Sequence, residues 1–444
     1  MYITIKSITM GQPIRKDIVE KRPELLNDKP FVTLLVDGNN LLRISMADTK
    51  TNTKGEHYGG VFQFLLQLRI MINKIGSRLD YIYVFFDDHD SGILRYNIYN
   101  DYKANRDKDY ANSTYGKSEY WKKYEESLKG MQRAIYNKKK ELEEERKFID
   151  AYKVRKIKED DIINKFGEKE GKEIIKKAKK EIDRENFDRE REIILKCLNE
   201  LYIRWVFDEN TEGDDLIAYY VKNKKPNENI IIMSTDHDLT QLISDDVCVF
   251  DKELSKHNKK DVYLSQKNFK KHRGIPVENV VTKKILLGDD SDNIKGINGL
   301  SENRLLEIMP EIAERPVSVQ EIRDRAKLLT EERLKEKKKP LKWQENIVNG
   351  VSNGNYDGDF YEINEKIISL KHPLMTEEAE NEMKETMYAV QDPEGRSFGN
   401  LYNIMKGDGI DELADTNRFS TFFEPFKPII DREIRRYKKY VDAL

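Results

Sequence analysis

The chain is predicted to fold as an α/β protein around a central, mostly parallel sheet flanked by helices, and three observations predict it. Four apolar runs of strand length, FVTLLV (31–36), YIYVFF (81–86), YIRWVF (202–207) and NIIIM (229–233), lack clean alternation. They therefore read as strands buried on both faces. Helical patterns lie between the runs, as parallel crossovers require. Carboxylates follow each run at once or within a short loop, and in such sheets ligands bind at the carboxyl ends of the strands.

Taken in order, residues 1–30 (ending NDKP) carry little signal, and the first strand ends in LLVDGNN at Asp37. Val61, Phe64, Leu65, Leu68, Ile72 and Ile75 then fall on one helical face, so the helix joining the first two strands is core. The second strand ends in YVFFDD at Asp87. No proline occurs between Pro30 and Pro226, and residues 117–192 carry 24 Lys and Arg against 20 Asp and Glu. That composition predicts a long helical segment, broken by Gly167 and Gly171 into a helical hairpin that projects from the sheet domain. Its apolar positions (Met131, Ile135, Leu142, Phe148, Ile149, Tyr152 and Ile157) drift in phase, which excludes a strict coiled-coil seam. A solvated spacer, a partner-binding arm and a gate over the site all remain open for it.

After the third run, EGDDLIA begins a helix whose N-terminus suits acids and aims Glu212 and Asp214 at the strand ends. The fourth run leads into STDHDLTQL, with Asp236 and Asp238. The segment LLGDDSDNIKGINGLSENRLLEIM reads as a loop with Asp289 and Asp292, a turn at Gly296 and Gly299, and a helix through Leu305, Leu306 and Ile308. Closely spaced glycines let backbone amides approach a phosphate, and tight turns demand them equally.

The chain holds 81 Asp and Glu, so any single acid is by default solvated surface charge. Delivery of several to one sheet edge is different: like charges in a cleft destabilise the fold unless a cation compensates. A site of hard oxygen ligands favours Mg²⁺, with Mn²⁺ as substitute, over zinc. Cys197 and Cys248 form no CxxC, and His57, His89 and His272 lack partners at zinc spacing. Two cysteines give no disulfide framework, no apolar run approaches membrane-spanning length, and the N-terminal residues show no secretory signal, so a cytoplasmic setting is expected. The net charge of −2 hides basic clusters at Lys103, Arg106 and Lys108, at 138–140, at Lys267, Lys270, Lys271, His272 and Arg273, and at 337–339. Beside a metal cleft these suggest a track for a phosphate backbone.

The ordered set VDG (Asp37), FFD (Asp87), ExDD (Glu212, Asp214, Asp215), SxDxDxxQL (Asp236, Asp238) and GDxxDNIxGI (Asp289, Asp292) resembles the 5′-nuclease superfamily of flap endonucleases and 5′→3′ exonucleases, most nearly its phage RNase H type. The likeness covers residues 31–110 and 202–309 and implies a PIN-like core. It assigns Asp37, Asp87, Glu212, Asp214 and Asp236 to one metal neighbourhood and Asp238, Asp289 and Asp292 to a second, with Asp215 supporting. Two Mg²⁺ ions are implied. Lys103 and Arg106 of YKANR are assigned to the scissile phosphate. NIKGINGL is similar to the helix-hairpin-helix-like element that grips duplex DNA, with K⁺ assisting, which makes Lys295, Gly296, Gly299, Lys271 and Arg273 nucleic-acid contacts. Gly213, His237 and Ser301 depart from the family pattern without removing a ligand.

The division implied is an N-terminal extension (1–30), a nuclease core in two parts (31–107 and 193–265), a helical insertion as possible arch (108–192), the DNA-binding region (266–324) and a helical C-terminal region (325–444). The expected activity is removal of RNA primers or 5′ flaps during DNA replication by a phage enzyme. Branched or nicked DNA and RNA–DNA hybrids are the expected substrates. A single-stranded DNA-binding protein or clamp is the expected recruiter, with no membrane. The rivals are a structure-specific endonuclease on other branched DNA or RNA, and a noncatalytic replication scaffold.

Overall fold

The computed structural model describes residues 30–88, 91–104 and 132–443. These divide into two units, the described residues of 30–104 with 194–443, and those of 132–193.

The first unit is organised by a six-stranded sheet of order β3-β2-β1-β4-β5-β6. Its strands are β1 (Phe31–Asp37), β2 (Leu79–Asp87), β3 (Arg204–Asp208), β4 (Glu228–Met233), β5 (Val247–Phe250) and β6 (Tyr263–Leu264). All neighbours pair in parallel except β5 with β6. β1 is central, and Leu34, Leu35 and Val36 are wholly buried, as expected of a strand covered on both faces. The third run begins as a strand only at Arg204, because Tyr202 takes a positive φ of 56°. The short strands β5 and β6, the latter at the sheet edge, were not anticipated from the sequence.

Asp37 ends β1 and caps helix α1 (Gly38–Ser45), its carboxylate accepting from the amide of Asn40. Gly38 is required by packing, since a Cβ there would lie 2.6 Å from the Phe86 ring and 2.7 Å from the Phe85 carbonyl. Helix α2 (Gly59–Ile75) connects β1 to β2 and buries the predicted stripe from Val61 to Ile75. Helix α3 (Ile93–Ile98) follows β2.

The second unit holds α4 (Gln132–Lys153), α5 (Glu159–Phe166) and most of α6 (Glu168–Glu200). Gly167, with φ +81°, separates α5 from α6 as expected. Gly171 does not break the segment. It lies inside α6, where a Cβ would meet the Ile163 backbone at 2.9 Å, so its smallness serves packing. The other break, at 154–158, carries no glycine; Arg155 adopts φ 57° there. A small core of Ile149, Ile162, Ile174, Ile175 and Ala178 holds these helices.

The remaining helices of the first unit are α7 (Gly213–Lys222), α8 (Lys252–Asn258), α9 (Gln266–Arg273), α10 (Asn279–Leu287), α11 (Glu302–Ile308), α12 (Val319–Lys335), α13 (Lys342–Asn349), α14 (Phe360–Ile368), α15 (Glu377–Thr386), α16 (Phe398–Gly407), α17 (Thr416–Phe423) and α18 (Lys427–Val441). A two-stranded ribbon of β7 (Gly288–Asp289) and β8 (Ile294–Lys295) lies between α10 and α11. The region after residue 325 is mainly helical, as the resemblance implied. Among the described residues no helix is long and apolar enough to cross a membrane.

Candidate active site

Asp37 and Asp87 stand at the carboxyl ends of the paired strands β1 and β2, with Asp37 in register with Phe85. Asp87 is held from both sides: Gly213 donates its amide at 2.5 Å and Asn39 its side-chain amide at 3.0 Å. Glu212 is the N-cap residue of α7, and Asp214 and Asp215 occupy its first turn, where the helix dipole favours negative charge. Beyond β4, the Ser234 hydroxyl donates to Asp37 at 2.8 Å and accepts from the Asp236 amide at 2.9 Å. Asp236 in turn accepts from the Asp238 amide at 2.8 Å. One polar chain thus carries the site from β1 to the turn after β4.

Electrostatics divide these acids. Burial, reinforced by Asp87 and Asp236, pushes the Asp37 carboxyl up to about 7. Burial also raises Asp87, with Glu212 adding to it, and raises Asp214 well above the usual range, with Asp236, Asp37, Asp87 and Asp238 all adding to it. Asp214 therefore lies at the electrostatic centre. Glu212 behaves oppositely: burial alone would raise it, yet Lys103 and Arg95 bring it down to about 2. Arg95, on α3, donates to Glu212 at 2.6 Å and to both oxygens of Asp215. Asp215 also accepts the Leu374 amide at 2.9 Å, so this member of the predicted set is compensated by protein groups. Lys103, which has φ 55°, pairs with Glu212.

Asp238, Asp289 and Asp292 form a second group, one carboxylate oxygen of each lying within 4.8 Å of the others. Lys284 of α10 reaches into it, donating to Asp289 at 2.7 Å and to Asp238. Burial would raise Asp289, but Lys284 and Ser291 hold it below the usual carboxylate range. The Tyr102 hydroxyl lies 3.0 Å from Glu212 and 3.3 Å from Asp292, and the Lys103 amide donates to the Asp292 carbonyl at 2.7 Å. The segment from Tyr99 to Ala104 therefore ties the two groups together.

The donor set suits a hard divalent cation. Every charged oxygen belongs to a carboxylate, several carboxyls are raised for want of countercharge, and the buried Asn39 Oδ1 beside Asp87 finds no hydrogen-bond partner among the described residues.

The predicted nucleic-acid contacts are placed unevenly. Gly299 has φ +78° in the turn before α11. At Gly296 a Cβ would lie 2.2 Å from the Leu287 backbone, so close chain approach accounts for that glycine. Lys295 is part of β8, and Lys271 is exposed on α9. Arg273 instead donates to Asp251, the N-cap of α8, at 2.7 Å. Arg106, Lys108, His89 and the side chains of 138–140 lie outside the described residues. Sequence reasoning missed Arg95, Tyr102 and Lys284. The only signal for Tyr102 and Lys103 was their place in the YKANR segment, and Arg95 and Lys284 gave none.

Residues 160–274 match the family model described as the N-terminal resolvase-like domain of 5′-3′ exonucleases. A 5′-3′ exonuclease of Mycoplasmopsis pulmonis is 37% identical over 92 residues, covering 20% of this chain and 29% of that protein. The thermostable DNA polymerase I of Thermus caldophilus is 32% identical over 128 residues, covering 29% of this chain and 14% of that protein. The chain thus spans less than a third of either relative's length. Among solved structures, the bacteriophage T5 flap endonuclease with DNA and metal ions aligns over 90% of this chain and 99% of that one, at 17% identity and a TM-score of 0.47. That likeness is too distant to carry an argument about function. The matched segment, and the carboxylates in their order from Asp37 to Asp292, make the chain similar to the 5′-3′ exonucleases of the 5′-nuclease superfamily.

Proposed function

We propose that the chain is a divalent-metal-dependent nuclease that hydrolyses phosphodiesters from 5′ ends and at 5′ flaps, removing RNA primers or flaps during DNA replication. The observation that carries this is the gathering of Asp37, Asp87, Asp214 and Asp236 at one sheet edge, the first three with raised carboxyls, beside the second group of Asp238, Asp289 and Asp292. A noncatalytic binding module gains nothing from so many mutually repelling acids. Relatives named 5′-3′ exonuclease and DNA polymerase I support the polarity and the link to replication.

The first group, with Glu212, would hold one Mg²⁺ and the second group another. Bound there, such ions supply activation of a water and neutralisation of charge developing on the phosphate. The chain's own residues do the rest. Asn39, Ser234 and the Gly213 amide orient the carboxylates, and Arg95 and Tyr102 fix Glu212. Lys103, at the rim of both groups, is the cation proposed to meet the scissile phosphate, with Arg106 as its companion. No Ser, Cys or His nucleophile is required. The turn at Lys295, Gly296 and Gly299, with K⁺, and Lys271 nearby in sequence are proposed to grip the duplex without reading its sequence. The 108–192 insertion as an arch, and recruitment by a single-stranded DNA-binding protein or clamp, are further parts of the same proposal.

End-labelled substrates carrying a 5′ flap, a nicked RNA-primed duplex or a 3′ flap distinguish the alternatives, with Asp236→Asn as control. Mg²⁺-dependent cutting confined to the 5′ substrates, abolished in Asp236→Asn with binding retained, is the expected result. Binding without cutting by the parent chain would favour a scaffold.

A further inference from the structure

The run KEKKKPLK at 335–342 has no part in the carboxylate site. It closes the hairpin between α12 and α13 and holds five lysines against one glutamate, Glu336, which pairs with Lys338 at 2.8 Å. Lys335, Lys337, Lys338, Lys339 and Lys342 are all exposed. The turn beneath them is well ordered by its own backbone. The amides of Glu336, Lys337 and Lys338 donate to Glu332, Leu334 and Arg333, Lys337 takes φ 57°, and Arg333 donates to the Lys339 carbonyl at 3.0 Å.

Helix α13, which leaves this turn at Lys342, is fixed to the glycine turn at 296–299. Asn346 of α13 donates to the Asn298 carbonyl at 2.8 Å, and the Asn298 amide donates to Val351 at 2.9 Å. Ser352 donates to the Gly296 carbonyl at 2.7 Å. Trp343, the residue after Lys342, packs beneath Gly299 and carries the Arg304 guanidinium over its ring at 5.7 Å. The Lys342 end of the lysine turn therefore leads directly to the residue packed against Gly299.

We propose that the Lys335–Lys342 turn is a second contact surface for the phosphate backbone of duplex nucleic acid, extending the grip of the glycine turn. The proposal rests on the nuclease function proposed above. Lysines are compact, strongly hydrated charges on flexible stems. Without a surrounding pocket or stacking aromatics they match a repeating anion and read no sequence. An acidic protein face is the competing partner.

The test uses the full chain carrying Lys337→Asn, Lys339→Gln and Lys342→Gln together, Asn being chosen because it tolerates positive φ. Fluorescence anisotropy with labelled nicked duplexes, one just long enough for the active site and glycine turn and one a full helical turn longer, is measured over a range of salt. The expected result is a loss of roughly 10-fold in affinity for the longer duplex, with the slope of log K against log salt falling by about 2 to 3. Affinity for the shorter duplex, its Mg²⁺-dependent cleavage and thermal stability should not change. An unchanged affinity and slope for the longer duplex overturns the proposal. So does loss of binding to poly-glutamate with DNA binding unaltered, which would assign the surface to an acidic protein. Failure of the parent chain to bind or cut DNA would instead bring down the nuclease function on which the proposal stands.

Discussion

Arg95 donates to Glu212 at 2.6 Å and to both carboxylate oxygens of Asp215, so one buried guanidinium holds two acids from the start of a single helix. Its remaining Nε donates to the Ile367 carbonyl at 2.9 Å, at the end of α14. The arrangement explains why neighbouring acids take different characters. Glu212 stays ionised because Lys103 and Arg95 face it, whereas Asp214 faces only other carboxylates among the groups that shift it most.

Replacing Arg95 by Leu should destabilise the fold severely, since it leaves buried Asp215 without countercharge and Glu212 with Lys103 alone. A loss of about 3 to 5 kcal/mol is expected from breaking such a pair on one side. Arg95→Lys keeps the charge but loses the fork, and should fall between Leu and the parent. Urea midpoints of the three proteins measure this. Equal midpoints would mean that the pair contributes nothing.

The raised carboxyls predict a pH dependence for protein stripped of divalent ions. Asp37 titrates near 7 in the fold but near the ordinary 3.8 when unfolded, so the folded chain binds the extra proton between those values. Stability from this group is full below the unfolded value and is lost as pH rises through about 7. Glu212 runs the other way: its contribution is present above its ordinary 4.5 and fades as pH falls toward about 2. Between pH 5 and 8 the Asp37 behaviour governs, so Tm in EDTA should fall across that window, and Mg²⁺ should flatten the fall. Asp214→Asn should raise metal-free stability at pH 8 by roughly 1 to 3 kcal/mol and shrink the Mg²⁺-induced rise in Tm.

Lys284 is the internal cation of the second carboxylate group, placed between Asp238 and Asp289. A divalent ion entering there competes with its ammonium. Lys284→Met should therefore tighten Mn²⁺ binding at that group about 10-fold, near 1.4 kcal/mol, while lowering the Tm of the metal-free protein. Calorimetric titration with Mn²⁺ reads the first effect and thermal melting the second. Weaker Mn²⁺ binding would show instead that Lys284 supports the occupied site.

The sequence made the carboxylate edge more legible than the groups that stabilise it. Strands β1, β2 and β4 announce themselves because burial on both faces demands unbroken apolar runs, and Asp37 and Asp87 close the first two while Asp236 follows the third within three residues. Arg95 could not be found that way, since its partner Glu212 is 117 residues distant and nothing local distinguishes ILRYNI from an ordinary helix. Lys284 was hidden for a related reason: within KKIL it reads as the solvated face of a helix. β5 and β6, of four and two residues, are too short to carry a period. Gly171 misled because a glycine that admits a neighbouring helix has the same letter as one that ends its own.

At the opposite end of β3 from the carboxylates, Arg204 is buried against Glu433 of α18 at 2.8 Å, and its guanidinium lies 5.0 Å and 5.5 Å from the rings of Tyr81 and Tyr83. Arg436 joins Glu433 to Asp80, the latter at 2.7 Å, so the last helix is fastened to the sheet by charge as well as by apolar contact. Burial alone would raise Glu433, but Arg204 and Arg436 hold it below its ordinary value. Its stabilisation is therefore present above the unfolded value near 4.5 and is lost as pH falls toward the folded value. Glu433→Gln should cost about 3 kcal/mol at pH 7 by leaving Arg204 buried without its partner, and the difference from the parent should narrow as pH falls below about 4. Replacing both residues, as Arg204→Met with Glu433→Leu, should recover most of that loss because neither charge then remains to be compensated. Cleavage rate per folded molecule should be the same in all three proteins. Urea midpoints at pH 7 and pH 4, with active-site-normalised kcat, decide the matter, and a lower kcat in Glu433→Gln would mean that α18 acts on the catalytic edge through the sheet.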